Sequence, residues 1–130
     1  MSRIALVTGG SRGIGAEISR QLKAAGRTVI ANYGGNDAAA KSGIHGFTKA
    51  LAQEGAKFGI TVNAVAPGYV DTEMVRAVPE DVLQKIISRI PVGRLGHADD
   101  IARGVVFLTA DEADFITGST LSINGGQHMY

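Results

Sequence analysis

Apolar positions in this chain fall into short continuous runs and four-residue stripes that alternate along its length. Ile4-Ala5-Leu6-Val7 is a run closed by Thr8, Gly9 and Gly10, the pattern of a strand buried in a parallel sheet. Ile14, Ile18 and Leu22 then recur every fourth residue, Ala25 completes the stripe and Gly26 supplies a stop. That spacing predicts an amphipathic helix with a C-terminal glycine cap. Thr28 to Ala31 reads as a second strand, ended by the turn chemistry of Asn32-Tyr33-Gly34-Gly35-Asn36.

Asp37 stands as N-cap to a long helix from Ala38 to about Phe58, broken by Gly59. Its expected core face is Ile44, Phe47, Leu51 and Phe58, with Lys41, Lys49 and Lys57 toward water. Ile60 to Val65 reads as a third strand that Ala66-Pro67-Gly68 terminates, and a short helix follows Asp71. Pro79 suits the first position of a further helix, one expected to bury Val82, Leu83, Ile86, Ile87 and Ile90 before Pro91 ends it. After Gly93-Arg94-Leu95-Gly96, the stretch Asp99 to Ala110 is helical through Ile101, Val105, Val106 and Leu108, and Thr120 to Ile123 is a fourth strand. Strand and helix alternate throughout, which predicts an α/β fold: a three-layer α/β/α sandwich around a short parallel sheet of about four strands. Residues 1–130 read as one domain, with no repeat or linker.

Composition narrows the function classes. The net charge is +1, with 13 basic and 12 acidic residues interspersed, so no nucleic-acid surface is expected. There is no cysteine, which removes disulfides, thiolate metal sites and thiol nucleophiles. His45, His97 and His128 lie far apart without carboxylates in ligand spacing, so no metal site is expected. Behind Met1-Ser2-Arg3 only Ile4 to Val7 is continuously apolar, too short for a secretion signal or membrane span. A cytoplasmic location without membrane attachment is the expectation.

The 18 glycines point to backbone chemistry. Thr8-Gly9-Gly10-Ser11-Arg12-Gly13-Ile14-Gly15 sits where the first strand hands over to the first helix. Unpaired N–H groups of a first helical turn, aided by the helix dipole, suit a phosphate, and glycine lets a pyrophosphate come close. The plainer alternative is a tight strand-to-helix turn. At the end of the second strand an acid would grip a ribose 2′-hydroxyl, whereas a 2′-phosphate wants a cation and no carboxylate. Asn32 holds that place and Arg12 reaches toward it, favouring NADP, although Asp37 is a competing acid.

These residues give the chain its resemblance to the short-chain dehydrogenase/reductase family. The glycine loop carries that family's Thr-Gly-x-x-x-Gly-x-Gly motif. Further matches are Ala39-Ala40-Lys41-Ser42-Gly43, Asn63-Ala64-Val65-Ala66-Pro67-Gly68, Pro91-Val92-Gly93-Arg94-Leu95-Gly96 and Ile123-Asn124-Gly125-Gly126. Met74 to Pro79 and the Gly125 to Met129 ending resemble the branch that reduces acetoacetyl-CoA, whose relatives reduce 3-oxoacyl groups on carrier protein. The resemblance implies a Rossmann-type fold, NADP(H) as cofactor, an acyl-CoA substrate reduced to the (3R)-hydroxy product, and a homo-oligomer. It implies cofactor contacts from Gly9, Ser11, Arg12, Gly13, Ile14, Gly15, Asn32, Tyr33, Lys41, Pro67, Gly68, Val70 and Thr72. Val70 backbone and the Thr72 hydroxyl would meet the nicotinamide carboxamide, where the plain alternative is a strand-ending Pro-Gly turn. Lys41 would be the catalytic lysine.

The departure from the family is equally informative. Its members are about twice this length, and everything expected between their second strand and the lysine helix is missing, the catalytic Asn and Ser included. Asp37 stands where the proton-donating tyrosine of the Tyr-x-x-x-Lys motif belongs. An aspartic acid with an ordinary pKa of about 3.9 is protonated only about one part in a thousand at pH 7. Lys41, one helical turn away, would hold it ionised more firmly. Counted along this chain, the remaining strands would abut to give the order 2-1-3-4, a doubly wound sheet whose switch point lies beside the glycine loop. Two function classes stay open: an oxidoreductase of this lineage, or a dinucleotide-binding module without turnover.

Overall fold

The computed structural model describes residues 4–8, 13–26, 28–32 and 38–129, the side chains of 4–8, 28–32 and 38–43 excepted. In chain order the elements among the described residues are β1 (Ile4–Thr8), α1 (Gly13–Ala24), β2 (Thr28–Asn32), α2 (Ala38–Ala56), β3 (Ala64–Pro67), α3 (Glu73–Arg76), α4 (Glu80–Ile87), α5 (Ala98–Leu108) and β4 (Thr120–Ile123), with a 3₁₀ turn at Asp111–Ala113. The α/β alternation is therefore as the hydrophobic pattern predicts. Among the described residues no helix is long and apolar enough to cross a membrane.

The strands form two parallel pairs, β1 with β2 and β3 with β4. The neighbour relations 2-1 and 3-4 hold; the expected join between β1 and β3 does not form. Edge chemistry gives a reason. Ala64 and Gly68 donate to Ser119 and Ile123 carbonyls at 2.9 Å, so by strand alternation Val65 and Pro67 face the opposite edge. Proline has no N–H, which leaves that edge of β3 one donor and a poor template for a further strand. The halves are joined instead by helices. α1 packs most extensively on α5, with Leu22 of α1 and Ile101 and Ala102 of α5 fully buried. Gln21 donates across this interface to Asp99. Gly104 brings α5 onto β4, because a Cβ there would collide with the Ile123 Cδ1.

Several boundaries and faces differ from the sequence pattern. The Ile60–Asn63 stretch is not strand. Its polar groups are met from elsewhere: the Val62 N–H by Thr117 Oγ1 at 3.0 Å, its carbonyl by the Gly118 N–H at 2.8 Å, and the Asn63 amide by the Ile116 carbonyl at 2.8 Å. Pro79 is the N-cap of α4, with the helix beginning at Glu80. The third difference is the larger one. α2 buries Thr48 and Ala52, each 4% exposed, while Ile44, Phe47, Leu51 and Phe58 face outward, Phe47 at 64%. Small residues let the helix approach closely: the Ala52 Cβ lies 3.5 Å from where Gly118 would carry one. The bulky stripe therefore points away from the chain's own core.

Helix ends follow local chemistry. Gly26 adopts φ +77° after α1, and its N–H closes on the Lys23 carbonyl at 3.0 Å, the left-handed stop the sequence predicts. α4 turns Ile86, Ile87 and Leu83 half inward and the buried Ile90 follows its end, while Val82, expected in the core, stays exposed.

Candidate functional site

α1 opens at Gly13, whose φ of +50° is a left-handed conformation that costs glycine little. Its first turn holds no acidic residue, so nothing there opposes an anion at the positive end of the helix dipole. Ile14 and Gly15 continue that turn half-buried. One turn further in, Glu17 is held down to about 2 by hydrogen bonds from Arg20 and Gln21, so its charge is paired on the helix surface.

The second wall comes from the end of β3. Pro67 is exposed at the strand's last position and Gly68 sits half-buried after it. Val70 is buried at 3% exposure and pairs in parallel with Gly96. Two bonds make that bridge: the Gly96 N–H donates to the Tyr69 carbonyl at 2.9 Å and the Asp71 N–H donates to the Gly96 carbonyl at 2.8 Å. Thr72 is the N-cap of α3, but its hydroxyl makes no cap hydrogen bond; its carbonyl accepts the Arg76 N–H at 2.9 Å. Arg76 also grips Asp71 at 2.7 and 2.8 Å, and that bond holds the Asp71 carboxyl below its ordinary range.

The two walls meet. The Thr72 Cγ2 stands 3.9 Å from the point where Gly13 would carry a Cβ, van der Waals contact for any side chain placed there. Residues 59 positions apart thus share one end of the molecule. The remaining expected site residues are placed as follows. Asn32 closes β2 and Lys41 lies in the first turn of α2, both as backbone positions. α2 packs against β3, so the lysine helix belongs to the β3–β4 half. Gly9, Ser11, Arg12, Tyr33 and Asp37 lie outside the described residues.

Sequence reading gave Gly96 only as part of a motif and Asp100 only as a helix-terminal charge. Asp100 collects three donors: Arg94 Nη1 at 2.9 Å, the His97 N–H at 2.9 Å and Arg103 Nη2 at 2.6 Å. The Arg94 and His97 bonds hold its carboxyl down to about 2. The available signal was the Gly93-Arg94-Leu95-Gly96 motif followed, four residues later, by an acid in the first turn of a helix.

Comparison with known proteins shows the family. Residues 28–128 match the family described as enoyl-(acyl carrier protein) reductase, and the chain belongs to the short-chain dehydrogenase/reductase family. It is 67% identical over 103 residues to an acetoacetyl-CoA reductase of Shinella zoogloeoides, covering 78% of this chain and 41% of that protein. It is 66% identical over 95 residues to an acetoacetyl-CoA reductase of Rhizobium meliloti (strain 1021), covering 72% and 39%. A 3-oxoacyl-(acyl-carrier-protein) reductase of Salmonella typhimurium is 54% identical over 104 residues, covering 80% and 41%. The chain therefore spans about two fifths of the length of these relatives.

Proposed function

We propose that this chain binds NADP(H) between the start of α1 and the Pro67–Thr72 segment, and that it is a poor catalyst of the reduction its relatives are named for. The observation that carries the reading is Thr72 beside Gly13. A helix start free of carboxylates suits the pyrophosphate, and an adjacent hydroxyl not used in capping suits the nicotinamide carboxamide. Gly9, Ser11, Arg12, Gly13, Ile14 and Gly15 are proposed for the phosphates. Asn32 and Tyr33 flank the adenosine ribose, and Pro67, Gly68, Val70 and Thr72 line the nicotinamide end. Asn32 in place of an acid, with Arg12 of the glycine loop as the cation, favours a 2′-phosphate and hence NADP over NAD.

When bound, the reduced dinucleotide supplies a hydride. The carbonyl of a 3-oxoacyl thioester, acetoacetyl-CoA by the names of the relatives, must then also gain a proton. Lys41 can orient the ribose, yet Asp37 offers a carboxylate where a hydroxyl is needed. A positioned general acid contributes on the order of 10² to 10⁴ in rate, and this chain forgoes it. The coverage of about two fifths of each relative favours a second reading, in which the same residues serve a longer polypeptide that brings its own tyrosine and serine. A cytoplasmic setting is proposed for both readings, in keeping with the cysteine-free composition. A homo-oligomer is proposed through the outward stripe Ile44, Phe47 and Leu51; light scattering should show a multiple of 13.5 kDa, and Phe47→Glu should return the chain to monomer.

The deciding experiment titrates NADPH into the purified chain by fluorescence, adds acetoacetyl-CoA, and follows loss of reduced nicotinamide by absorbance. Saturable binding with negligible consumption is expected. Absence of binding overturns the cofactor assignment, and sustained consumption overturns the argument from the missing proton donor.

A further inference from the structure

We infer that Asp100 and Arg94 are positioning residues that set the nicotinamide-facing segment Tyr69–Thr72 through the backbone of Gly96. The inference deepens the proposed dinucleotide site and rests on it. The chain of contacts is continuous. Asp100, at the start of α5, holds Arg94 Nη1 and the His97 N–H through the same Oδ2, each at 2.9 Å. Arg94 Nη1 also donates to the Leu95 carbonyl at 2.8 Å. One carboxylate thereby grips both flanks of Gly96.

Gly96 passes the constraint on by two main-chain bonds, to the Tyr69 carbonyl and from the Asp71 N–H. Thr72 follows directly, beside Gly13. Packing on one side of the segment is incomplete, although Val70 is buried. Its Tyr69 side borders a cavity of about 260 Å³ lined also by Ile90, Val92, Arg94, Ile101 and Ile123. A main-chain bridge next to a void can slide, and polar links at fixed distances are what stop it. Gly96 lies in ordinary packing contact with the segment, since a Cβ there would sit 3.6 Å from both the Tyr69 carbonyl oxygen and the Val70 Cγ2.

Two measurements on the full chain test this, one independent of any ligand. In Asp100→Asn, amide exchange at Asp71 and Gly96 should quicken about tenfold or more, the size expected for losing a charge-assisted bond. Exchange at Ala64 and Gly68, which bond to the Ser119 and Ile123 carbonyls, should not change, and Asp100→Glu should restore part of the protection. The second measurement compares NADPH with adenosine 2′,5′-bisphosphate, which lacks the nicotinamide half. Asp100→Asn and Arg94→Ala should weaken NADPH about tenfold and leave the bisphosphate unaffected. Unchanged exchange at Asp71 and Gly96, or equal quickening at all four amides, overturns the inference, as does equal loss of both ligands. If the parent chain binds neither ligand, the dinucleotide reading fails by itself, and the exchange pattern alone still decides whether the clamp exists.

Discussion

Gly68 and Asn124 bring the C-terminal ends of β3 and β4 together backbone to backbone: a Cβ at Gly68 would stand 2.7 Å from the Asn124 Cα and 2.8 Å from its Cβ. Neither of those atoms can swing aside without moving a strand. Gly104 is also crowded, but by the far ends of the Ile123 and Leu121 side chains. Gly68→Ala should therefore cost about 1–3 kcal/mol, as overpacking against fixed atoms does. Gly104→Ala should be near neutral, because rotamer adjustment is offset by roughly 0.5–1 kcal/mol of helix preference for alanine. Denaturant midpoints of the two variants, compared with the parent chain, check the ranking.

Thr72→Val keeps the shape of the residue beside Gly13 and removes its hydroxyl. NADPH affinity should fall by about 0.5–1.5 kcal/mol, the ordinary net worth of one hydrogen bond. Binding of adenosine 2′,5′-bisphosphate should not change. Equal affinity of Thr72→Val and parent for NADPH would remove the hydroxyl from the site.

The proposed cofactor choice rests on the residue at the end of β2. Asn32→Asp places a carboxylate where a 2′-phosphate would lie and a 2′-hydroxyl would be gripped. The ratio of NADPH to NADH affinity should drop at least about tenfold, a change of roughly 1.4 kcal/mol. Paired fluorescence titrations give the ratio directly.

Asp37→Tyr restores a hydroxyl four residues before Lys41. If the absent proton donor is what limits the chain, consumption of NADPH with acetoacetyl-CoA should rise by on the order of 10², the lower end for a general acid, since no serine accompanies it. A steady-state rate indistinguishable from the parent would place the deficiency elsewhere.

Acid should loosen the α1–α5 region in a defined window. Glu17, ordinarily near 4.5, and Asp100, ordinarily near 3.8, are both held down to about 2 in the folded chain. A carboxylate with a depressed folded pKa adds stability above its unfolded value and loses it as pH falls toward the folded one. These two groups should leave the melting temperature flat above about pH 5 and lower it progressively between about pH 4.5 and 2. Asp100→Asn should remove part of that slope, which scanning calorimetry across the range would register.

The order of elements was legible from hydrophobic spacing because each depends on neighbours a few residues away. Ile14, Ile18 and Leu22 mark α1, Gly26 stops it, and Thr120–Ile123 is a strand by composition alone. The glycine loop and the Pro67–Thr72 turn were recognisable as candidate cofactor walls for the same reason. Which face of α2 turns inward was not legible: Ile44, Phe47 and Leu51 form the stronger apolar stripe, yet Thr48 and Ala52 are the residues small enough to meet the layer beneath.

Sequence by itself determined the lineage of this protein, the absence of a tyrosine four residues before Lys41, and the residues proposed for a dinucleotide. Tertiary structure decided that the strands pair two by two, that α1 and α5 join the halves, and that Thr72 comes to rest beside Gly13. The physical reason is range. Helix stops and turns are set by local backbone preference, whereas strand edges, close glycine contacts and the Asp100–Arg94 link exist only when distant segments are brought together and compete for the same donors.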